Sequence, residues 1–365
     1  MGTGTGTGMG MWLRGMRPKT LPASVAPVAI GAAAGWESLR GLEVCPAIYP
    51  RPDYCDSNAD LLGVLESRFW VMTLLCALVA LFLQIAVNLA NDYADGVRGV
   101  DAGRGAQGGG AAPARLVASG VPPKRVLLAA GVAAALACLC GCAVVAVTGH
   151  WWLLLAGACC VLAGWFYTGG RRPYGYAGLG ELAVFVFFGL VAVLGAEYVV
   201  SDGVSVAGWF GAVYAGVFSC VLLMVNNLRD LDGDRRHGKR TLAVRMGGPV
   251  ARWFLTFVYC VAALSVVAIV VGRMAVALVH WSGVACGYEA ADGGVRCAPI
   301  PPTGDEWVPG ILGFVLLALA VVMVRALLRR DYGRALPLAS LTLLLYAVIF
   351  VSLMPSVVDA LTPLP

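Results

Sequence analysis

The stretch NNLRDLDGDRRHGKRTLA (residues 226–243) follows directly on VFSCVLLMV (residues 217–225). Three Asp, a His and five Lys or Arg are thus placed on the end of a run that carries no charge. The apolar run has the composition of a segment immersed in hydrocarbon. Carboxylates beside it need a physical reason, since each costs about 2.5–3.5 kcal/mol inside a bilayer on insertion scales.

The rest of the chain has the same character. Of 365 residues, 59% are hydrophobic and 13% charged, more apolar surface than a water-soluble fold of this length hides. Nine apolar stretches lie near residues 20–36, 69–91, 124–148, 151–168, 179–199, 206–228, 250–279, 307–328 and 335–355. They are continuous and do not alternate, which predicts helices and not a membrane barrel. The expected fold class is all-α, a polytopic membrane protein. The start, MGTGTGTGMG (residues 1–10), lacks the basic and apolar regions of a signal peptide and reads as a disordered tail. Residues 11–365 then form one transmembrane domain, with outer loops at 37–68 and 280–306.

Charge asymmetry orients the spans. With the N-terminus in the cytoplasm, 21 of the 26 Lys and Arg fall on the cytoplasmic side. Only Arg40, Arg51, Arg68, Arg273 and Arg296 fall outside. This excess predicts a multi-pass protein of the cell membrane with an extracytoplasmic C-terminus. Eight of the twelve cysteines lie within apolar spans, as small apolar filler. The other four, Cys45, Cys55, Cys286 and Cys297, belong to the two outer loops, where disulfides form. Pairing within each loop and pairing between the loops are both open.

A second polar cluster, NLANDYADGVRGVD (residues 88–101), ends the second span as the opening stretch ends the sixth. Asn88, Asp92 and Asp95 share a helix face by their spacing, and so do Asn226, Asp230 and Asp234. The two patterns stand at matched depth on helices running the same way, which predicts a parallel repeat with the clusters facing across a central cavity. Converging carboxylates repel unless a cation neutralises them. Oxygen donors without His or Cys suit a hard ion such as Mg2+, which completes its shell with water and substrate phosphates. Arg115, Arg229, Lys239 and Arg240 are placed to grip those phosphates. Asp101 and Asp232 lie beyond or off the shared faces.

These residues resemble the UbiA superfamily of intramembrane aromatic prenyltransferases. NDYAD (91–95), NNLRDLDGDRRHGKRTLA (226–243) and YTGGRRPYGYAGLGE (167–181) carry the likeness. MRPKTLPAS (16–24) and RLVASG (115–120) place it nearest the branch that prenylates 1,4-dihydroxy-2-naphthoate. The likeness runs from Arg17 to about Met354. It implies nine helices around a central cavity and two Asp-rich motifs that bind Mg2+ and a polyprenyl diphosphate. It also implies a product, demethylmenaquinone, formed with loss of diphosphate and CO2. Carried over by position, Asp92, Asp95, Asp230 and Asp234 are the metal and catalytic carboxylates, with Tyr167 beside them. Asn88, Asn91, Asn226, Asn227, Arg115, Arg229, Lys239, Arg171, Glu181, Arg17 and Lys19 are the substrate-binding set. Arg171 departs from the usual Tyr-x-x-x-Lys pattern, and GRGAQGGGAAPARL (103–116) is longer and richer in Gly than the family's loop. Tyr174, Tyr176 and Phe185 offer stacking surface to a flat acceptor.

Two other functions weigh against this reading. Transport needs polar groups near the midplane, whereas here the acidic groups gather at span ends and Glu197 is a lone exception. A phosphatidyl-type transferase would share acidic pairs and Mg2+, but its Asp-Gly-x-x-Ala-Arg stretch is absent. Within the family reading, 4-hydroxybenzoate is the alternative acceptor.

Overall fold

The computed structural model describes residues 8–42, 52–99, 115–281, 284–289, 294–299 and 307–354. Their order is α1 (Met9–Gly15), α2 (Pro22–Leu42), α3 (Pro52–Val97), α4 (Pro123–Thr148) and α5 (Trp152–Thr168). A broken helix follows: α6 (Gly180–Val184), a π-helical stretch (Phe185–Val191) and α7 (Ala192–Ser201). Then come α8 (Val206–Arg229), the short α9 (Leu231–Arg236) and α10 (Leu242–Met246), and α11 (Gly248–Trp281). Strands β1 (Val284–Glu289) and β2 (Gly294–Pro299) precede α12 (Trp307–Leu328) and α13 (Tyr332–Ser352).

All nine predicted stretches are helical. Among the described residues, seven helical segments are long and apolar enough to cross a membrane. Trp152–Thr168 is apolar but shorter, and α2 stands outside the seven. The outward faces bear large apolar side chains, with Phe314 76% exposed and Leu155 71% exposed. Such surfaces are stable against lipid tails and not against water, so the chain is an integral membrane protein.

The first expected outer loop is shorter than the sequence suggested. α2 continues to Leu42 and α3 already begins at Pro52, because Pro at a first helical position has its φ pre-set and loses no hydrogen bond. In the second loop, β1 and β2 pair antiparallel, with Val284 opposite Pro299 and Cys286 opposite Cys297. Among the described residues this hairpin is the exception to an all-helical fold. At the other terminus, α1 starts at Met9, inside the stretch read as a tail; residues 1–7 lie outside the described residues.

Close packing depends on small residues. On α2 a Cβ at Gly31 would stand 2.1 Å from the Val193 carbonyl oxygen of α7, and one at Gly35 would stand 3.0 Å from Val200. This is the small-xxx-small contact by which helices approach without help from water. Gly189 of the π stretch similarly faces the Ala212 carbonyl and Gly216 of α8. Phe218, Tyr259, Leu316, Met323 and Leu343 fill the interior where α8, α11, α12 and α13 meet.

Candidate active site

α3 and α8 deliver their polar ends to one cavity of about 800 Å³. Asn88, Asn91 and Asp95 of α3 line it, as do Asn226, Asn227, Arg229 and Asp230 at the end of α8. Asp234 of α9, Lys239, Arg115, Arg17 and Tyr167 join the polar wall, with Thr20, Ser24, Gln84, Thr168, Tyr174 and Ser219. The remainder is mainly apolar, from residues such as Leu83, Val87, Leu153, Leu162, Phe187 and Phe188. Cys76 and Asp95 both line the cavity, and the α3 stretch between them rises about 28 Å at helical pitch.

The face that α3 turns to the cavity differs by one position from the expected one. Asn88, Asn91 and Asp95 line it, and Asp92 does not. The buried Asp92 carboxylate accepts the Leu116 N–H at 2.9 Å and the Val117 N–H at 3.1 Å. It thereby pins the RLVASG turn that carries Arg115. Asn88 donates to the Met16 carbonyl at 3.0 Å and so ties α3 to the segment bearing Arg17. Asn91 accepts from the buried Thr168 hydroxyl, and Asp95 accepts from the Tyr176 hydroxyl.

On the other wall, Arg229 grips Asp230 through two nitrogens at 3.0 and 3.1 Å. Lys239 stands 3.8 Å from Asp234. Asn227 donates to a Glu181 oxygen at 2.9 Å, and Glu181 itself is not on the cavity wall. Arg17 has left-handed backbone (φ 56°), a conformation that costs a non-glycine residue energy. One of its guanidinium nitrogens is buried without a hydrogen-bond partner among the described residues. Tyr167 meets Tyr174 edge to face at 5.5 Å, and Tyr174 donates to the Ala163 carbonyl at 2.7 Å. Burial pushes the Tyr174 phenol above its usual range.

Arg171 and Lys19 are exposed and off the cavity wall. Phe185 is not on it either, its place being taken by Phe187 and Phe188 through the wide π turn. Asp232 and Arg240 are exposed, and Asp101 lies outside the described residues. Thr168 and Arg98 were not anticipated. Arg98 donates to the Thr168 and Gly170 carbonyls, the latter at 2.6 Å. Its signal was its place just past the end of α3, one turn beyond Asp95.

Among the described residues, no three Asp, Glu, His or Cys side chains form a ready metal cage. Mg2+ does not require one, since it is commonly held by one or two carboxylates with water and substrate phosphates. The donors here are carboxylate and amide oxygens beside Lys and Arg, which fits that mode.

The profile of the UbiA prenyltransferase family matches residues 61–292. The chain belongs to this family. It is 41% identical over 238 residues to a 1,4-dihydroxy-2-naphthoate octaprenyltransferase of Mycobacterium tuberculosis, covering 65% of this chain and 70% of the relative. An Escherichia coli protein of the same name is 35% identical over 251 residues, covering 66% and 70%. In fold, the chain is similar to a UbiA homolog from Archaeoglobus fulgidus, solved bound to DMAPP and Mg2+. The TM-score is 0.52 at 12% identity, over 93% of this chain and 99% of that one.

Proposed function

We propose that this UbiA-family chain transfers a polyprenyl group from polyprenyl diphosphate to 1,4-dihydroxy-2-naphthoate, yielding diphosphate, CO2 and demethylmenaquinol, the reduced form of demethylmenaquinone. The observation that carries this reading is one cavity with an apolar body and a rim of carboxylates and cations. A prenyl tail needs the first and its diphosphate the second. The relatives named for this reaction support the choice of acceptor.

Asp95, Asp230 and Asp234 are the residues that would hold Mg2+, with Asp92 fixing the adjoining turn. When bound, the ion supplies positive charge to the departing diphosphate. Arg115, Arg229 and Lys239 add hydrogen bonds to the same oxygens. The allylic C–O bond breaks with its electron pair going to diphosphate, and the electron-rich naphthoate ring attacks the allylic carbon. Loss of CO2 returns the electrons of the C–C bond to the ring. Tyr167, half-buried and lining the cavity, orients the allylic end. Arg17 offers its free N–H donors to an anionic oxygen of either substrate. Glu181 positions Asn227, while Lys19 and Arg171 face headgroups or incoming substrate outside the cavity. The Lys- and Arg-rich end, with this site, faces the cytoplasm.

A competition assay tests the reading. Purified protein receives equal amounts of dihydroxynaphthoate and 4-hydroxybenzoate, one long-chain prenyl diphosphate and Mg2+. A decarboxylated prenyl naphthoquinol is the expected lipid product by mass. Prenylated hydroxybenzoate as the main product would move the chain to the other acceptor. Flux of solute across vesicles without any prenylated lipid would mark a transporter.

A further inference from the structure

Tyr176 belongs to the short turn Tyr174–Ala177 between α5 and α6. It is not on the cavity wall, yet four residues from two separate segments, the end of α3 and the α9–α10 link, meet on it. Its hydroxyl donates to Asp95 of α3. Its ring has the Arg98 guanidinium 5.3 Å from its centroid and the Lys239 ammonium 5.0 Å from it, within the range of cation–π attraction. Its carbonyl accepts the Arg240 N–H at 3.0 Å. Arg98 is itself fastened to the end of α5 and the turn after it, through Thr168 and Gly170. The Lys239 N–H donates to the Asp234 carbonyl at 2.9 Å, so the α9–α10 link is held beside it.

We infer that Tyr176 is a clasp, a positioning residue that sets Asp95 from one acidic motif and Lys239 from the other in register for a prenyl diphosphate. The inference rests on the reading of the cavity given above. The ring is the shared surface against which both cations lie, and the hydroxyl fixes which way the Asp95 carboxylate turns. Asp95, Asp234 and Lys239 all line the cavity, so Tyr176 acts on substrate through them.

Tyr176→Phe keeps the ring and removes the donor. Tyr176→Leu removes both. The full chain in detergent is titrated with Mg2+ and inorganic diphosphate, and protection against thermal unfolding is read alongside turnover. For Tyr176→Phe the expected result is about tenfold weaker protection and about tenfold higher KM for prenyl diphosphate, the size of one hydrogen bond to a charged group. The KM for the aromatic acceptor and the ligand-free Tm should stay at the parent values. Tyr176→Leu should weaken protection several-fold more. If Tyr176→Leu does not fold, the phenylalanine variant carries the test alone. Parent-like protection in Tyr176→Phe overturns the clasp, and so does a change confined to the ligand-free Tm. Asp95→Asn separates the two levels of argument. If it loses protection while Tyr176→Phe keeps it, the clasp alone fails. If Asp95→Asn keeps full protection, the cavity is not the diphosphate site and the clasp falls with it.

Discussion

Asp92 and Asp95 are three positions apart and look equivalent in sequence, but they do different things. Asp92 spends both oxygens on the backbone N–H groups of Leu116 and Val117. Asp95 faces the cavity. Charge-assisted bonds of this kind are worth about 1.5–3 kcal/mol each, and losing them strands buried donors. Asp92→Ala should therefore cost about 2–4 kcal/mol of stability and lower turnover by loosening the turn that bears Arg115. Asp230→Ala and Asp95→Asn should abolish turnover with a parent-like Tm. Thermal unfolding in detergent and a turnover assay on the same samples decide the matter; equal loss of Tm in all three variants would erase the distinction. The sequence located this cluster, because carboxylates at the end of an apolar run are conspicuous. It assigned the cavity face to Asn88, Asp92 and Asp95, where the structure turns Asn91 inward instead of Asp92. Positions 88, 91, 92 and 95 all lie on one broad side of a helix, and only the position of the RLVASG turn selects among them.

Helices were the most legible elements, since continuous hydropathy over about 20 residues has few other meanings. The π stretch at Phe185–Val191 was not legible. FVFFGLV carries no marker of a wide turn, and the Gly189 contact with α8 that accompanies it is a tertiary fact. The β1–β2 hairpin was missed because a length-and-charge reading of a loop does not look for strand pairing. α2 was legible only in part. Its Ala, Gly and Pro content weakens the hydropathy signal, and that content is also what lets it enter the bundle against α7. Gly31 shows this sharply, since even a methyl group there meets backbone at 2.1 Å. Gly31→Ala should destabilise the protein by about 1–3 kcal/mol, as overpacking does. Turnover should fall too, because Ala23, Ser24 and Val28 of the same helix line the cavity. Gly131 on α4 is the control, with nothing within 4 Å of a built Cβ. Gly131→Ala should be neutral or slightly stabilising, by less than about 1 kcal/mol on helix propensity. Equal Tm values for the two alanine variants would show that the α2–α7 contact carries no such constraint.

At the scale of the whole molecule, the polar ends of α3 and α8, together with α9 and α10, gather at one end of the bundle around the cavity rim. α11 starts from that end at Gly248 and runs 34 residues to Trp281, about 50 Å at helical rise. It therefore delivers the β1–β2 hairpin to the opposite end. If the Lys- and Arg-rich end faces the cytoplasm, as the 21-to-5 distribution argues, the hairpin sits in the compartment where thiols are oxidised. Sequence alone left two pairings open for Cys45, Cys55, Cys286 and Cys297. Cys45 and the side chain of Cys55 lie outside the described residues, but the strand register sets Cys286 directly opposite Cys297. Directly opposed residues of antiparallel strands have Cα atoms about 4.5–5.5 Å apart, within the span a disulfide bridges. The expected outcome is a Cys286–Cys297 crosslink formed in membranes and absent after reduction, detected by peptide mapping without reductant. Cys45 and Cys55 should then be found with each other and not with the hairpin. The same samples test orientation: in sealed vesicles of cytoplasm-out polarity, a membrane-impermeant thiol reagent added after reduction with a permeant phosphine should fail to reach Cys286 and Cys297. Labelling of both from that side would invert the topology and place the catalytic cavity on the outer face, while free thiols in unreduced membranes would remove the disulfide and leave the orientation to be judged by labelling alone.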